Sequence, residues 1–357
     1  MKQHSGNKIK AIGMMSGTSL DGMDLAAVEF RFENGCWQFS VAFAETVTYP
    51  DIWLEKLKTA PSLSGEKLME LHSNFGHYIG NEINRFIRKT GFIPDVVASH
   101  GHTVFHQPEN HFTFQVGSGA EIAAITQTTT VADFRSGDVA LGGQGAPLVP
   151  AGDRLLFAEY DYCLNLGGFA NISFEANHQR MAFDICPVNI VLNYFAEKQG
   201  FTFDKNGELG KNGHINIQLL HQLNNLEFYR IKPPKSLGRE WVESCFLPVI
   251  KKHNATEKDI FRTLYEHMAQ QIGNTTSGNG KMLVTGGGAF NTFLMERITE
   301  FTQAQLVIPP CEIINFKEAI IFAFLGVLRV RNENNCFASV TGAKNDHSAG
   351  IIFTASC

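Results

Sequence analysis

No stretch of the sequence approaches the ~18 consecutive apolar residues of a membrane span. The richest run, AIIFAFLGVL at 319–328, is short and predicts a buried helix. There is no basic block, and the formal net charge is -5, which argues against nucleic acid as a partner. The first ten residues, MKQHSGNKIK, carry no apolar stretch behind their lysines, so no signal peptide is expected. Seven cysteines (Cys36, Cys163, Cys186, Cys245, Cys311, Cys336 and Cys357) form no CxxC pair, and this odd, unpatterned set predicts free thiols. Together these absences predict a cytoplasmic protein with neither a nucleic acid nor a membrane partner.

Several catalytic signatures are missing as well. No GK[ST] follows the glycine-rich start, which rules out a Walker loop, and there is no GxSxG serine elbow. Four histidines, His100, His102, His106 and His111, lack helical HExxH spacing and have no cysteine nearby, which argues against zinc there. Strand alternation predicts His100 and His102 on one face.

What is present is a globular balance, 44% hydrophobic and 18% charged over 357 residues, enough for two cores. Three strands are predicted from KIKAIGMM (8–15), LAAVEFRF (25–32) and WQFSVAFAETV (37–47), with ENG as the last turn. Leu68, Leu71, Phe75, Ile79 and Ile83 recur at helical spacing before Gly91. Further strands follow at 95–106, 112–117 and 129–134, with a helix over 120–126. A second strand, glycine turn and strand opens at YCLNLGGFANISFE (162–175). QRMAFDI (179–185) follows as a strand, and the helices 189–200, stopped by its glycine, 259–273 and 291–301 surround the strand KMLVTGGG (281–288). Two segments opening alike predict two related α/β lobes with a cleft between them.

Three glycine clusters carry the chemistry. GMMSGTSLDGMD (13–24) offers successive backbone N–H groups and hydroxyls, an anion-binding composition, alongside the carboxylates Asp21 and Asp24. Carboxylates beside phosphate imply a bridging hard cation, for which Mg2+ fits; a polar hairpin turn accounts for the composition equally well. VTGGGAFN (284–291) ends a strand in Gly286, Gly287 and Gly288 before a helix, which suits close approach of a flat ligand or an anion, or a plain turn. ALGGQGAPLVP (140–150) reads as a hinge or a ligand-lining loop. Among charged residues, Arg135 in ADFRSGD suits a carboxylate clamp or a surface ion pair. Asp184 ends an apolar strand, where it would serve as a general base or as a helix N-cap. Glu318 reads as a first-turn acid of the buried helix.

Taken together, these stretches and several others resemble the anhydro-N-acetylmuramic acid kinases, sugar kinases of the actin/hexokinase superfamily. The resemblance rests on GMMSGTSLDGMD (13–24), SHGHTVFHQP (99–108), FQVG (114–117), VADFRSGDVALGGQGAPLVP (131–150) and NLGGFANIS (165–173). It continues through FDICPVN (183–189), PPKSLGRE (233–240), VTGGGAFN (284–291), KEA (317–319) and SVTGA (339–343). It implies an α/β fold of two ribonuclease-H-like lobes, as in actin-like ATPases, with ATP between them. The expected division is 1–137, with the first phosphate loop, and 138–357, with the catalytic aspartate and adenosine loop, the C-terminal tail packing back on the first lobe. The implied reaction opens 1,6-anhydro-N-acetylmuramic acid with water and phosphorylates the 6-oxygen, with ATP and Mg2+, in peptidoglycan recycling.

By residue, the resemblance makes Gly17, Thr18, Ser19, Leu20, Asp21, Gly22, Met23 and Asp24 the ATP phosphate loop, with Asp21 the candidate Mg2+ ligand. Asp184 becomes the base that activates water, and Gly286, Gly287 and Gly288 the adenosine contact. Arg135, Gln144 and Glu318 line the sugar. The resemblance also suggests a homodimer.

The chain departs from the family after Asp184, where Thr-Gly-Pro-Gly-Asn is replaced by Ile185-Cys186-Pro187-Val188-Asn189. A hydroxyl and two glycines are lost, and with them close backbone approach to phosphate. Asn193 stands where the family has an aspartate, and GSGAEIA replaces a Gly-Asp-Pro run. These departures leave two other readings open: a weakened or inactive relative that binds nucleotide or cell-wall sugar, and a plain amino-sugar kinase without the hydrolytic step.

Overall fold

The computed structural model describes residues 8–17, 20–276 and 278–355. Within these, twelve strands run in chain order. They are β1 (Lys8–Ser16), β2 (Met23–Glu33), β3 (Cys36–Val47), β4 (Val96–Gln107), β5 (Phe112–Val116), β6 (Thr130–Ala132), β7 (Tyr162–Leu166), β8 (Phe169–Ala176), β9 (Gln179–Pro187), β10 (Lys281–Thr285), β11 (Gln305–Val307) and β12 (Ile351–Phe353). The chain divides into two compact units, residues 1–156 with 316–357 and residues 157–315. The expected boundary at 137/138 falls inside the first unit: residues 138–156 cluster with the strands before them, and residues 316–357 return to it.

The first unit carries the sheet order β12-β6-β4-β1-β2-β3, with β5 paired to β4. β1, β2 and β3 are an antiparallel meander, while β4 joins β1, and β6 joins β4, in parallel. Alternation along β1 buries Ile12 and Met14, which pack with Leu25, Ala27, Phe75, Ile79 and Ile83. The helix Gly65–Thr90 supplies the last three. Ser64 caps its start by accepting from Lys67 N–H, and Gly91 ends it at φ +68°. The helix Cys311–Val330 presses on the sheet so closely that a Cβ on Gly13 would lie 1.9 Å from the Ala319 carbonyl oxygen. Ala319 through Leu325 is at most 1% exposed, so the apolar run is core. Among the described residues, no helix is long and apolar enough to cross a membrane.

The second unit repeats the plan in its own sheet, ordered β11-β10-β7-β8-β9. β7, β8 and β9 are an antiparallel meander, and β10 joins β7, and β11 joins β10, in parallel. Strand for strand, this is the order and direction of β1, β2, β3, β4 and β6. Its core gathers Leu164, Leu166, Ile172, Phe261, Leu264, Met268, Ile298 and, from the altered loop, Ile185, Cys186 and Val188.

The six described cysteines are free thiols, and Cys357 lies outside the described residues. The alternation expected for His100 and His102 fails locally. Gly101 takes φ +71°, and the β1–β4 register slips between Met14 and Ser16. The two rings accordingly find different partners, described below.

Candidate functional site

In the first unit, β1 ends at Ser16 and the chain turns before β2 begins at Met23. Thr18 and Ser19 lie outside the described residues. Of the rest of the expected phosphate loop, Gly17 and Leu20 form a turn, with Leu20 N–H donating to the Gly17 carbonyl (3.4 Å) and φ +62° at Leu20. Gly22 fits against the end of β3, where a Cβ would come within 2.5 Å of the Val47 carbonyl oxygen. Asp21 is exposed. Met23 and Asp24 belong to the strand, not the loop. Met23 is fully buried, while the Asp24 carboxylate accepts from the Thr46 hydroxyl (2.6 Å). Burial raises the Asp24 pKa above the usual carboxylate range, against the Thr46 bond that lowers it, and Asp21 adds to the rise.

A buried polar chain underpins this turn. The Tyr49 hydroxyl donates to Ser16 Oγ (2.7 Å), which meets His102 Nδ1 at 3.0 Å. Neither Tyr49 nor His102 could be assigned this role from sequence, because the contacts span 33 and 86 residues. The serine in SGTS and the histidines of SHGH were the visible signals.

Arg135 donates from Nε (3.0 Å) and Nη2 (2.9 Å) toward His100 Nε2, and from Nη1 to the Gly145 carbonyl. His100 Nδ1 faces the Gly101 carbonyl at 3.0 Å. A carbonyl only accepts, so Nδ1 carries the proton and Nε2 receives the arginine. Burial first, then the Arg135 charge, hold the His100 pKa well below its ordinary value, consistent with that neutral tautomer. Burial also lowers the Arg135 pKa to about 10, against the pull of Glu318, and leaves the guanidinium charged at neutral pH. Three donors are thereby committed, and the outer Nη1/Nη2 edge is the one shaped for a carboxylate.

Glu318 retains accessible surface yet is crowded by protein atoms, and that desolvation raises its pKa; Arg135 and Lys317 oppose the shift, and Asp24 adds to it. Glu318 thus lies within electrostatic reach of both Arg135 and Asp24. Beside Glu318, the buried Lys317 Nζ lies 2.7 Å from the Asp153 carboxylate. Gln144 is exposed, and its backbone N–H is tied to the Thr341 carbonyl (2.8 Å).

In the second unit, Asp184 stands in β9 opposite Asn171, beside a register slip at Ala170/Asn171 that leaves Ile185 as the extra residue. It is not the N-cap of the next helix; Val188 holds that position without a side-chain cap. The Asp184 carboxylate accepts from Leu237 N–H (2.8 Å), and its own N–H donates to the Lys235 carbonyl (3.1 Å). PPKSLGRE therefore fixes the aspartate. Burial raises the Asp184 pKa, and the Leu237 bond partly offsets this. A cavity of about 430 Å³ lies elsewhere, in the first unit around Pro94 and Thr128. A smaller one of about 270 Å³ is lined by Phe183 and Ile185, which flank Asp184 in sequence, with Tyr229, Lys235 and Gln271, but not by Asp184 itself.

The altered loop is packed inward: Ile185, Cys186 and Val188 are each at most 3% exposed. The first N–H groups of the helix Asn189–Lys198 are spoken for. Val188 and Ile190 N–H donate to the Gly168 carbonyl (2.8 and 3.2 Å), and Asn189 N–H donates to Gly167 (3.2 Å). Gly286 takes φ +80°, and a Cβ there would lie 2.7 Å from Asn165 Oδ1; one on Gly288 would lie 2.7 Å from Leu166 Cβ. Both positions need glycine to pass the end of β7. Gly287 is open, with only Asn189 Nδ2 at 3.8 Å. Asn291 then caps the helix Thr292–Phe301 by accepting from Leu294 N–H (3.0 Å).

The fold is a two-sheet α/β protein whose sheets share one strand order, with glycine turns at strand ends in both. The anhydro-N-acetylmuramic acid kinase family model matches residues 9–355, and the chain belongs to that family. The anhydro-N-acetylmuramic acid kinase of Pasteurella multocida (strain Pm70) is 37% identical, over 96% of each chain. That of Mannheimia succiniciproducens is 38% identical, over 96% of this chain and 98% of its own. Among solved structures, component A of the Acidaminococcus fermentans (R)-2-hydroxyglutaryl-CoA dehydratase aligns at TM-score 0.46 and 12% identity. It covers 90% of this chain and 99% of its own, a likeness too distant to assign any residue a role.

Proposed function

We propose that the protein is an ATP-dependent kinase that opens 1,6-anhydro-N-acetylmuramic acid with water and phosphorylates it to N-acetylmuramic acid 6-phosphate. The observation that carries this reading is the family match over residues 9–355. The repeated strand order supports a pair of ribonuclease-H-like halves.

In this reading Asp184 is the general base. Its raised pKa brings it nearer neutrality than an ordinary aspartate, and the Leu237 N–H fixes one carboxylate oxygen so that the other can take the proton of an attacking water. The outer edge of Arg135 clamps the lactyl carboxylate of the sugar, while Glu318 and Gln144 contact its polar groups. The turn Gly17–Gly22, with Thr18 and Ser19, receives the ATP phosphates, and Gly286, Gly287 and Gly288 lie against the adenosine. The exposed oxygens of Asp21 are hard donors that suit Mg2+, which would neutralise phosphate charge. The reading predicts sugar phosphate from ATP, Mg2+ and the anhydro sugar, measured by mass analysis, and its loss in Asp184→Asn. Turnover that survives intact in Asp184→Asn would remove the base from Asp184.

A second reading has one observation in its favour. With Ile185, Cys186 and Val188 in the core and the helix N–H groups held by Gly167 and Gly168, the loop after Asp184 offers phosphate little. This favours slow turnover with ligand binding retained. Calorimetry that detects sugar or nucleotide binding without product separates it from the first reading. Phosphorylation of a plain hexosamine would instead identify an amino-sugar kinase without the hydrolytic step.

A further inference from the structure

Outside the residues discussed for the kinase reaction, the first unit gathers a carboxylate, a thiol and an imidazole. Cys336 and His347 face each other across an isolated antiparallel bridge, each donating its N–H to the other's carbonyl at 3.1 Å. Directly opposed residues of such a bridge project their side chains to the same side. Asp138 approaches that side from the short helix Ser136–Ala140 and is fully buried. One of its oxygens is already committed, accepting from Gly145 N–H at 2.7 Å. The other, Oδ1, faces Cys336 Sγ at 3.1 Å, Thr341 Oγ1 at 2.7 Å and His347 Nε2 at 3.7 Å. The carboxylate, thiol and imidazole ligand atoms all lie within 4.8 Å of one another, and among the described residues this is the one group of its kind.

The imidazole is presented as a ligand. His347 Nδ1 faces the Asn345 carbonyl at 3.1 Å, so Nδ1 carries the proton and the neutral ring has its lone pair on Nε2. That Nε2 is buried and has no hydrogen-bond partner among the described residues. A ring nitrogen bonded to a backbone carbonyl, with the other bare toward a thiol and a carboxylate, is how proteins orient metal-binding histidines. The separations from Asp138 Oδ1, 3.1 Å to the thiol and 3.7 Å to the imidazole, need only a small adjustment to hold an ion. A tetrahedral ion with bonds of about 2.0–2.3 Å spaces its ligand atoms by roughly 3.3–3.8 Å.

We propose that Asp138 Oδ1, Cys336 Sγ and His347 Nε2 form a binding site for a zinc-class divalent transition metal. The mixed sulfur, nitrogen and oxygen set selects zinc or cobalt over Mg2+ and Ca2+, which prefer oxygen alone. Binding is a ligand exchange without electron transfer: the Cys336 thiol gives its proton to solvent, and the thiolate lone pair goes to the metal. Three protein ligands leave a position for water. The ion would join the segment 336–347 to Asp138, and Asp138 holds Gly145, whose carbonyl accepts from Arg135. The site therefore acts as a clamp on the ALGGQGAP loop.

The test is Co2+ and Zn2+ titration of the chelator-treated full-length protein, read by visible absorption and by competition with a chromophoric chelator. The proposal predicts one equivalent bound with a thiolate-to-cobalt charge-transfer band. Cys336→Ser should abolish the band, and His347→Gln should weaken binding at least tenfold. Absence of binding, or the same band in Cys336→Ser, overturns it, the latter assigning the metal to another thiol such as Cys36, Cys245 or Cys311. Thermal unfolding in chelator checks that the variants fold. If Cys336→Ser does not, alkylation of the accessible thiols of the native protein decides: a band that survives supports the buried Cys336 site, and one that vanishes refutes it.

Discussion

In the proposed reaction Asp184 and His100 each carry a distinct signature. Replacing Asp184 by Asn keeps an oxygen to accept from Leu237 N–H but removes the base. A rate loss of about 10²–10⁴-fold is expected in steady-state kinetics. The raised pKa of Asp184 sets the sign of two pH effects. Activity should rise with pH along an acid limb lying above the ordinary aspartate value of 3.8. A carboxyl with a raised folded-state pKa contributes stability below its unfolded value, and that contribution is lost as pH rises through the folded value. Asp184→Asn should therefore unfold no earlier than the parent at pH 7, which thermal denaturation checks. His100 acts through Arg135. Its removal in His100→Ala strips an acceptor from a charged donor, a bond worth about 1.5–3 kcal/mol. The expected result is a roughly 10- to 100-fold rise in KM for the sugar with a smaller change in kcat. An equal fall in kcat with KM unchanged would contradict a positioning role.

Single elements carry the next set of consequences. The helix Cys311–Val330 meets the first sheet and is tied down two turns in, next to Glu318, which is therefore not the expected first-turn acid, by the buried Lys317–Asp153 pair. Lys317→Met removes one of the groups that balance the buried Asp153 carboxylate, and should lower stability in urea unfolding by at most about 3–5 kcal/mol. The loop after Asp184 poses the opposite trade. Returning Ile185, Cys186 and Val188 to Thr, Gly and Gly removes buried side chains from the second core, so stability should fall by about 2–5 kcal/mol. If the loop limits turnover, kcat should nonetheless rise; unchanged kcat would acquit it.

Strands β1 to β3 and β7 to β9 were legible because alternation, glycine turns and a period of two are local signals. The helix 65–90 was legible from its spacing and Gly91. Asp24 lies in the strand and not in the expected loop because strand entry depends on pairing with β3, where its partner Thr46 is 22 residues away. The slip at Gly101 was equally hidden, since it arises from register with β1.

At the scale of the whole molecule, the sequence revealed two similar openings, and the sheets show the same strand order in both units. It did not reveal that residues 138–156 belong with the first, nor that the C-terminal segment returning to it begins as early as residue 316. That grouping comes from pairings such as β12 with β6, which connect positions more than 200 residues apart with no local mark. The family motifs single out Asp184, Arg135 and Glu318 as the proposed site. The partners that tune them, Leu237, His100 and Lys317, emerged only from contacts.

The most direct measurement of the central claim is the reaction of the anhydro sugar with ATP and Mg2+ in ¹⁸O-labelled water, followed by mass fragmentation of the product. Hydrolytic opening with phosphorylation predicts one ¹⁸O at the anomeric hydroxyl and an unlabelled phosphate on the 6-oxygen. A phosphorylated product with no label at the anomeric carbon, or no product at all, would contradict the account.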